Sequence, residues 1–204
     1  MKGKLKELYE RASRSGTVDT SVNGDEREYA DEAAARRAFS DLREKLLFVD
    51  RWNHESALTS FARFSSSGRE APGARVAEGD FIRISLKGSG KYDWVGVAEI
   101  YEAADETIVT VRPSADPTDG ERDEKSISHF FASEARNNFC LQRDGKTIYC
   151  YVIGLDEKTN LGETENILET ARNAAVANLG YFFGVQKGEW KTFCRNFLYS
   201  DAGN

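Results

Sequence analysis

The sequence predicts an α+β fold, in which one N-terminal and two C-terminal helices flank a small curved antiparallel sheet or partly open barrel of about six strands. Apolar residues recur at helical spacing before residue 53 and after residue 160, and the region between them alternates with a period of two. All three prolines lie in that middle region, outside the apolar runs. An SH3-like barrel and an OB-like barrel both fit this number of strands.

The chain begins with a segment that is expected to be a short docking helix or a frayed end. Leu5 and Leu8 have helical spacing, and the stretch SRSGTVDTSVNG after them is small and polar. Residues 1–24 are therefore predicted to form a short helix and a flexible linker. The length of 204 residues suits one α+β domain at residues 25–200.

A long amphipathic helix is predicted at residues 25–52. Its start signal is Asn23 followed by Glu26. One apolar stripe runs along it through Ala35, Phe39, Leu42, Leu46 and Val49.

The middle region is expected to contain six strands, at residues 57–66, 80–87, 94–102, 106–112, 136–143 and 146–154. The last two form a hairpin around Asp144-Gly145, a dipeptide that suits a type I′ turn. This turn would place Arg143 opposite Lys146. The predicted core face of the hairpin comprises Phe139, Leu141, Ile148, Cys150 and Val152.

Two helices are predicted after the sheet, at residues 161–184 and 187–198. The second has Trp190, Phe193, Cys194, Phe197 and Leu198 on one face. Such an apolar face needs a surface to cover.

Five stretches of the chain resemble a family of small bacterial proteins of uncharacterised function. In order, they are FIRISLKGSG, YDWVGVAEI, VTVRPSADPT, SHFFASEARNNFCLQRDGKTIYCYVIGLDEKTN and ARNAAVANLGYFFGVQKGEWKTF. The resemblance covers about residues 30 to 198. It implies a cytoplasmic bacterial protein with one continuous domain, and it assigns no activity, cofactor or catalytic residue.

Composition excludes several classes of function. The net charge of -6 argues against a general nucleic-acid surface, which needs an excess of Lys and Arg. Two histidines and three cysteines without CxxC spacing predict no metal site and no cofactor. No stretch approaches the roughly 20 apolar residues of a membrane span, and the start lacks the apolar core of a signal peptide. A cytoplasmic location without membrane contact is therefore expected.

Four residues are candidates for ligand binding. His129 lies among apolar neighbours in SISHFF, where it would hold a backbone group or anchor a ligand. Tyr149 and Tyr151 project from the noncore face of the hairpin, and Trp94 opens a strand. Aromatic rings on a curved sheet can stack bases or sugars, but we expect that a C-terminal helix lies over Tyr149 and Tyr151, which also explains why that helix is so apolar.

These observations favour a noncatalytic binding or interaction module for a small polar ligand or a protein partner. One alternative is an enzyme of unrecognised class centred on His129. A second is a binder of single-stranded nucleic acid that uses Tyr149 and Tyr151, which the negative net charge disfavours.

We predict that Cys140 and Cys150 form no disulfide. Although one turn brings their strands together, the two side chains project to opposite faces of the hairpin, which is incompatible with the Cβ separation of a disulfide. Mass spectrometry of the nonreduced protein is expected to find both thiols free. A peptide linked through these two cysteines would show that the predicted faces are wrong.

Overall fold

The computed structural model describes residues 1–15, 20–88, 90, 92–119, 135–156 and 189–200. Within these ranges the fold is α+β, with a curled antiparallel sheet and four helices. The general class predicted from the sequence is therefore confirmed, whereas the SH3-like or OB-like assignment is not. None of the described helices has the length and apolar character needed to cross a bilayer.

The described part of the chain contains seven strands, one more than predicted. They are β1 (Ser21–Glu28), β2 (Thr59–Phe64), β3 (Phe81–Leu86), β4 (Tyr92–Ala103), β5 (Glu106–Pro113), β6 (Arg136–Asp144) and β7 (Thr147–Leu155). Their order in the sheet is β1-β7-β6-β5-β4-β3-β2, so the last six form a meander and β1 adds to its end. Those six correspond to the predicted strands.

The helices are α1 (Gly3–Ser15), α2 (Glu32–Leu47), a 3-10 helix (Val49–His54) and α3, which spans residues 189–199. Helix α3 agrees with the helix predicted at 187–198. The helix predicted at 161–184 lies outside the described residues.

The prediction of one helix at 25–52 is wrong at both ends. Helix α2 begins after Asp31, whose side chain caps it by accepting a hydrogen bond from Ala34 N at 2.7 Å. The expected start signal at Asn23 instead lies in β1, opposite Val152. Strand β1 was missed, and part of it was assigned to the linker, because the polar sequence SVNGDERE lacks apolar alternation.

The β6–β7 hairpin turns one residue later than predicted. Asp144 pairs with Thr147, so Gly145 and Lys146 occupy the turn, and Arg143 lies opposite Ile148. Gly145 has φ of 60°, whereas Lys146 is not among the residues with positive φ, which is the pattern of a type II′ turn. The pairing shifts by two residues, so each side chain keeps its predicted face.

The concave face of the sheet carries the larger apolar core. The five predicted core residues of the hairpin all belong to it. Helix α2, the 3-10 helix and α3 cover this face. The ring centroid of Trp52 in the 3-10 helix lies 4.6 Å from that of Phe139 in β6 and 5.9 Å from that of Phe193 in α3. A bulge in β4 between Val97 and Glu99 accompanies the curl.

Helix α1 covers the opposite face through a second apolar cluster, which includes Leu5, Ile108 and Ile153. Its amino end is held by Glu106, whose carboxylate accepts hydrogen bonds from Leu5 N at 2.6 Å and Lys4 N at 3.1 Å. Because the first amides of a helix have no partner inside the helix, this carboxylate satisfies two of them. Helix α1 is thus fixed by both packing and capping.

Strand β2 forms one edge of the sheet, and its outward backbone groups are occupied. The side chain of Asn53 accepts from Phe61 N at 2.6 Å and donates to Phe61 O at 2.8 Å. Ala71 N donates to Arg63 O at 2.9 Å. These contacts take the place of a neighbouring strand.

Glu189, the first described residue of α3, joins that helix to the start of β2. Its Oε1 accepts hydrogen bonds from Ser56 Oγ and, at 3.1 Å each, from Leu58 N, Thr59 N and Thr59 Oγ1. The carboxylate is buried, and these donors replace the water it loses.

We predict that Phe193→Ala lowers the free energy of unfolding by about 3 kcal/mol or more, because the side chain is fully buried among aromatic rings. Trp190→Ala is expected to cost a similar amount. Urea unfolding followed by circular dichroism measures the change. Lys191→Ala is the control, since Lys191 lies on the exposed side of the same helix. Equal midpoints for Phe193→Ala and Lys191→Ala would show that α3 does not stabilise the sheet.

Candidate functional site

Tyr149 and Tyr151 lie on the face of the sheet that α1 covers. The ring centroid of Tyr151 is 5.8 Å from that of Tyr9, with the rings nearly perpendicular. A Cβ at Gly24 would lie 2.2 Å from the Tyr151 ring, so β1 needs glycine at this position. Helix α3 does not cover these tyrosines, because it packs on the opposite face, and the helix predicted at 161–184 lies outside the described residues.

The environment of the two tyrosines raises their pKa values. Burial raises the pKa of Tyr151 to about 12, with a further contribution from the Glu26 carboxylate. Partial burial raises the pKa of Tyr149 as well, again with Glu26 contributing. Both hydroxyls therefore stay protonated near neutral pH, and the Tyr151 ring is partly withdrawn from a stacking ligand.

Trp94 belongs to another part of the sheet. It lies on β4, which β5 and β6 separate from β7, and it is buried. Its ring packs against Phe64 at 4.7 Å, and the Arg83 guanidinium lies 6.0 Å from its centroid. The structure does not bring Trp94 together with Tyr149 and Tyr151. His129, the fourth candidate, lies outside the described residues.

A pocket of about 740 Å³ lies beside the carboxyl end of α2 and contains none of the four predicted residues. We call it the α2 pocket. It is lined by Asp41, Glu44, Lys45, Phe48, Arg51, His54, Glu55 and Ser200. These residues come from α2, the 3-10 helix and the segments that follow the 3-10 helix and α3.

Two buried charged residues of the α2 pocket form an ion pair. Lys45 Nζ lies 2.5 Å from Glu55 Oε1, and their side chains are only 9% and 2% exposed. Lys45 Nζ also donates to Ser200 Oγ at 2.5 Å and to Phe197 O at 3.3 Å. An ammonium group has three protons, so these contacts use all of its donors.

One carboxylate oxygen of Glu55 is not used by the ion pair. Its Oε2 is buried and has no hydrogen-bond partner among the described residues. A buried polar atom without a partner costs about 1 to 3 kcal/mol. The ion pair therefore retains an unsatisfied oxygen, which is uncommon in a stably packed region.

Arg51 and His54 supply exposed cationic or polar groups to the pocket. They are three residues apart in the 3-10 helix, where residues at i and i+3 lie directly above one another. The Arg51 guanidinium lies 4.7 Å from the centroid of Phe48, which supports it through a cation–π contact. No acidic residue in the described part of the chain forms an ion pair with Arg51.

The sequence pattern does not reveal this pocket. All of its residues except Ser200 lie in the stretch DLREKLLFVDRWNHE, which overlaps the end of the single helix predicted at 25–52. Lys45 interrupts the apolar side of that helix next to Leu42 and Leu46, which was the available signal of a buried charge. Its partner Glu55 lies beyond the 3-10 helix, so spacing along one helix cannot reveal the pair.

Comparison with known proteins does not assign the site. No family model and no curated protein matches the chain, so the resemblance to small bacterial proteins stays a prediction. A hypothetical protein from Helicobacter pylori is similar in structure, with 9% identity and a TM-score of 0.45 over 81% of this chain and 86% of that one. A protein from Arthrobacter aurescens has 12% identity and a TM-score of 0.43, over 90% and 93%.

The extracellular domain of PknH from Mycobacterium tuberculosis is also among the similar structures. It has 10% identity and a TM-score of 0.36, and the match covers 70% of this chain. This chain spans half the length of that domain. The α2 pocket is therefore the feature of the described structure that bears on function.

We predict that Lys45→Met lowers the free energy of unfolding by about 3 to 5 kcal/mol, because it leaves Glu55 buried without its counter-ion. The double variant Lys45→Met/Glu55→Leu is expected to recover most of the loss, since it removes both charges. Urea unfolding measures the free energy of unfolding of the single and the double variant. Arg36→Met, on the exposed side of α2, is the control. A double variant no more stable than Lys45→Met would contradict a paired role for the two charges.

Proposed function

We propose that this protein is a noncatalytic binding module whose α2 pocket holds a small polar ligand. The observation that carries the proposal is that the exposed residues Arg51 and His54 line the same pocket as the buried Lys45–Glu55 pair, whose Glu55 Oε2 has no hydrogen-bond partner among the described residues. Polar groups converging on a pocket are typical of ligand sites.

The size of the pocket supports a small molecule. Its volume of about 740 Å³ falls within the roughly 300 to 1,000 Å³ of typical ligand pockets. Phe48 supplies an apolar contact, while Arg51 and His54 supply donors for an anionic group. A small carboxylate or phosphate compound has the chemistry that these donors recognise.

The framework around the pocket is held by several contacts, which favours a preformed site. Lys45 connects α2 to the end of α3 through Phe197 O and Ser200 Oγ. Asn196 Nδ2 of α3 donates to Glu55 O at 3.0 Å. A ligand that enters a preformed site spends less free energy on ordering the protein.

The covered position of Tyr151 weighs against the nucleic-acid alternative. A stacking site needs an open ring face, and the Tyr9 ring and Gly24 lie against Tyr151. The alternative centred on His129 has no observation in its favour among the described residues. Binding in the α2 pocket is therefore the function we put to the test.

A thermal-shift screen of small carboxylates, phosphates, amino acids and sugars tests this function. We expect at least one compound to raise the melting temperature of the wild type and of Arg37→Gln, because a ligand stabilises only the folded state that binds it. The same compound is expected to have little effect on Arg51→Gln. Arg37 is a matched control on the exposed side of α2.

Two results would contradict the proposal. A compound that stabilises the wild type and Arg51→Gln equally binds elsewhere on the protein. A screen in which no compound shifts the wild type would leave the α2 pocket without a ligand of the proposed kind.

A further inference from the structure

The charged residues of the α2 pocket are divided between two walls. Asp41 and Glu44 lie on α2, three residues apart, and both line the pocket. Residues with this spacing share one face of an α-helix, so the helix contributes an acidic wall. Arg51 and His54 contribute a basic wall from the 3-10 helix.

The two walls do not neutralise each other directly. Among the described residues, no ion pair joins Asp41 or Glu44 to Arg51 or His54. Glu44 Oε1 lies 3.7 Å from Arg75 Nη2, and Arg75 is outside the pocket. Opposite charges that line one cavity without pairing leave room for a molecule that carries both signs.

The buried Lys45–Glu55 pair adds no net charge to this arrangement. All three protons of Lys45 have acceptors, so the permanent cation available to a ligand is the Arg51 guanidinium. On the acidic wall, Asp41 has no ion pair among the described residues, whereas Glu44 is paired with Arg75. Glu55 Oε2 is a further acceptor. The two ends of a ligand therefore contact different secondary structure elements, α2 and the 3-10 helix.

We infer that the α2 pocket recognises a small zwitterion, with its ammonium group toward Asp41 and Glu44 and its carboxylate toward Arg51 and His54. This inference rests on the proposed function and narrows its ligand class. Charge-assisted hydrogen bonds form at both ends of such a molecule. A simple anion meets repulsion from the acidic wall, and a simple cation meets repulsion from Arg51.

A divalent cation does not fit the same residues. The described part of the chain contains no group of three or more His, Cys, Asp or Glu side chains placed to hold a metal ion. A metal needs its ligands within about 2 to 2.6 Å, whereas an organic ammonium on a short carbon chain can span a wider site.

The experiment compares three matched series of compounds on the full chain by calorimetry and thermal shift. The first series contains ω-amino acids from glycine to 6-aminohexanoate, and the other two contain the n-alkanoates and n-alkylamines of the same lengths. We expect one ω-amino acid to bind best. Its dissociation constant is expected to be at least about tenfold lower than those of the two compounds that lack one end.

Variants of each wall identify which end of the ligand it contacts. On Asp41→Asn the preferred ω-amino acid is expected to bind no better than its alkanoate, because the variant removes the carboxylate of the acidic wall that has no ion pair among the described residues, while Glu44 stays paired with Arg75. On Arg51→Gln it is expected to bind no better than its alkylamine. Glu32→Gln and Arg37→Gln are exposed controls on α2 that should preserve the wild-type preference.

The outcomes separate this inference from the proposed function. If alkanoates bind the wild type as tightly as ω-amino acids and Asp41→Asn changes neither, the zwitterion inference is wrong while a pocket for small anions stands. If none of the three series shifts the wild type, the zwitterion inference is also wrong. The broader screen of carboxylates, phosphates and sugars then decides the proposed function independently.

Discussion

The contact of Trp52 with Phe139 and Phe193 is the interaction on which the rest of the structure depends. Each ring comes from a different layer: the 3-10 helix, the concave face of β6, and α3. A curled sheet brings its concave side chains close together, so large rings fill that space well. The ring cluster sets where the 3-10 helix and α3 lie, and the 3-10 helix contributes Arg51 and His54 to the α2 pocket.

Polar contacts fix the positions that apolar packing leaves adjustable. Glu189 holds the first described turn of α3 against the start of β2, and Lys45 holds the end of α3 against α2. Apolar surfaces tolerate small sliding movements, whereas charge-assisted hydrogen bonds have defined geometry. The described part of α3 is therefore fixed by polar contacts at Glu189 and at Phe197.

Much of the fold could be predicted from the sequence because its signals are local. The six strands β2 to β7 and the apolar side of α3 follow from spacing alone, and the faces of the hairpin survived an error in its turn. Strand β1 could not be found in this way. Its residues are polar and partly exposed, and its strand conformation depends on pairing with β7, which is far away in the sequence.

The candidate site was harder to predict than the fold. Tyr149 and Tyr151 were placed on the correct face of the hairpin, but which helix covers that face depends on the path of the whole chain. The ion pair between Lys45 and Glu55 joins α2 to the residue that follows the 3-10 helix, and α2 ends between them at Leu47. A period along one helix contains no information about such a break, so the acidic and basic walls of the pocket went unrecognised.

The amide of Asn53 has a consequence for how the molecule behaves among its own copies. It occupies both backbone groups of Phe61 on the outer side of β2, where an exposed strand would otherwise offer donors and acceptors to any extended peptide. Self-association by strand addition at this edge therefore requires that two hydrogen bonds be displaced first. Asn53 therefore protects this edge of the sheet while lying outside the apolar core clusters.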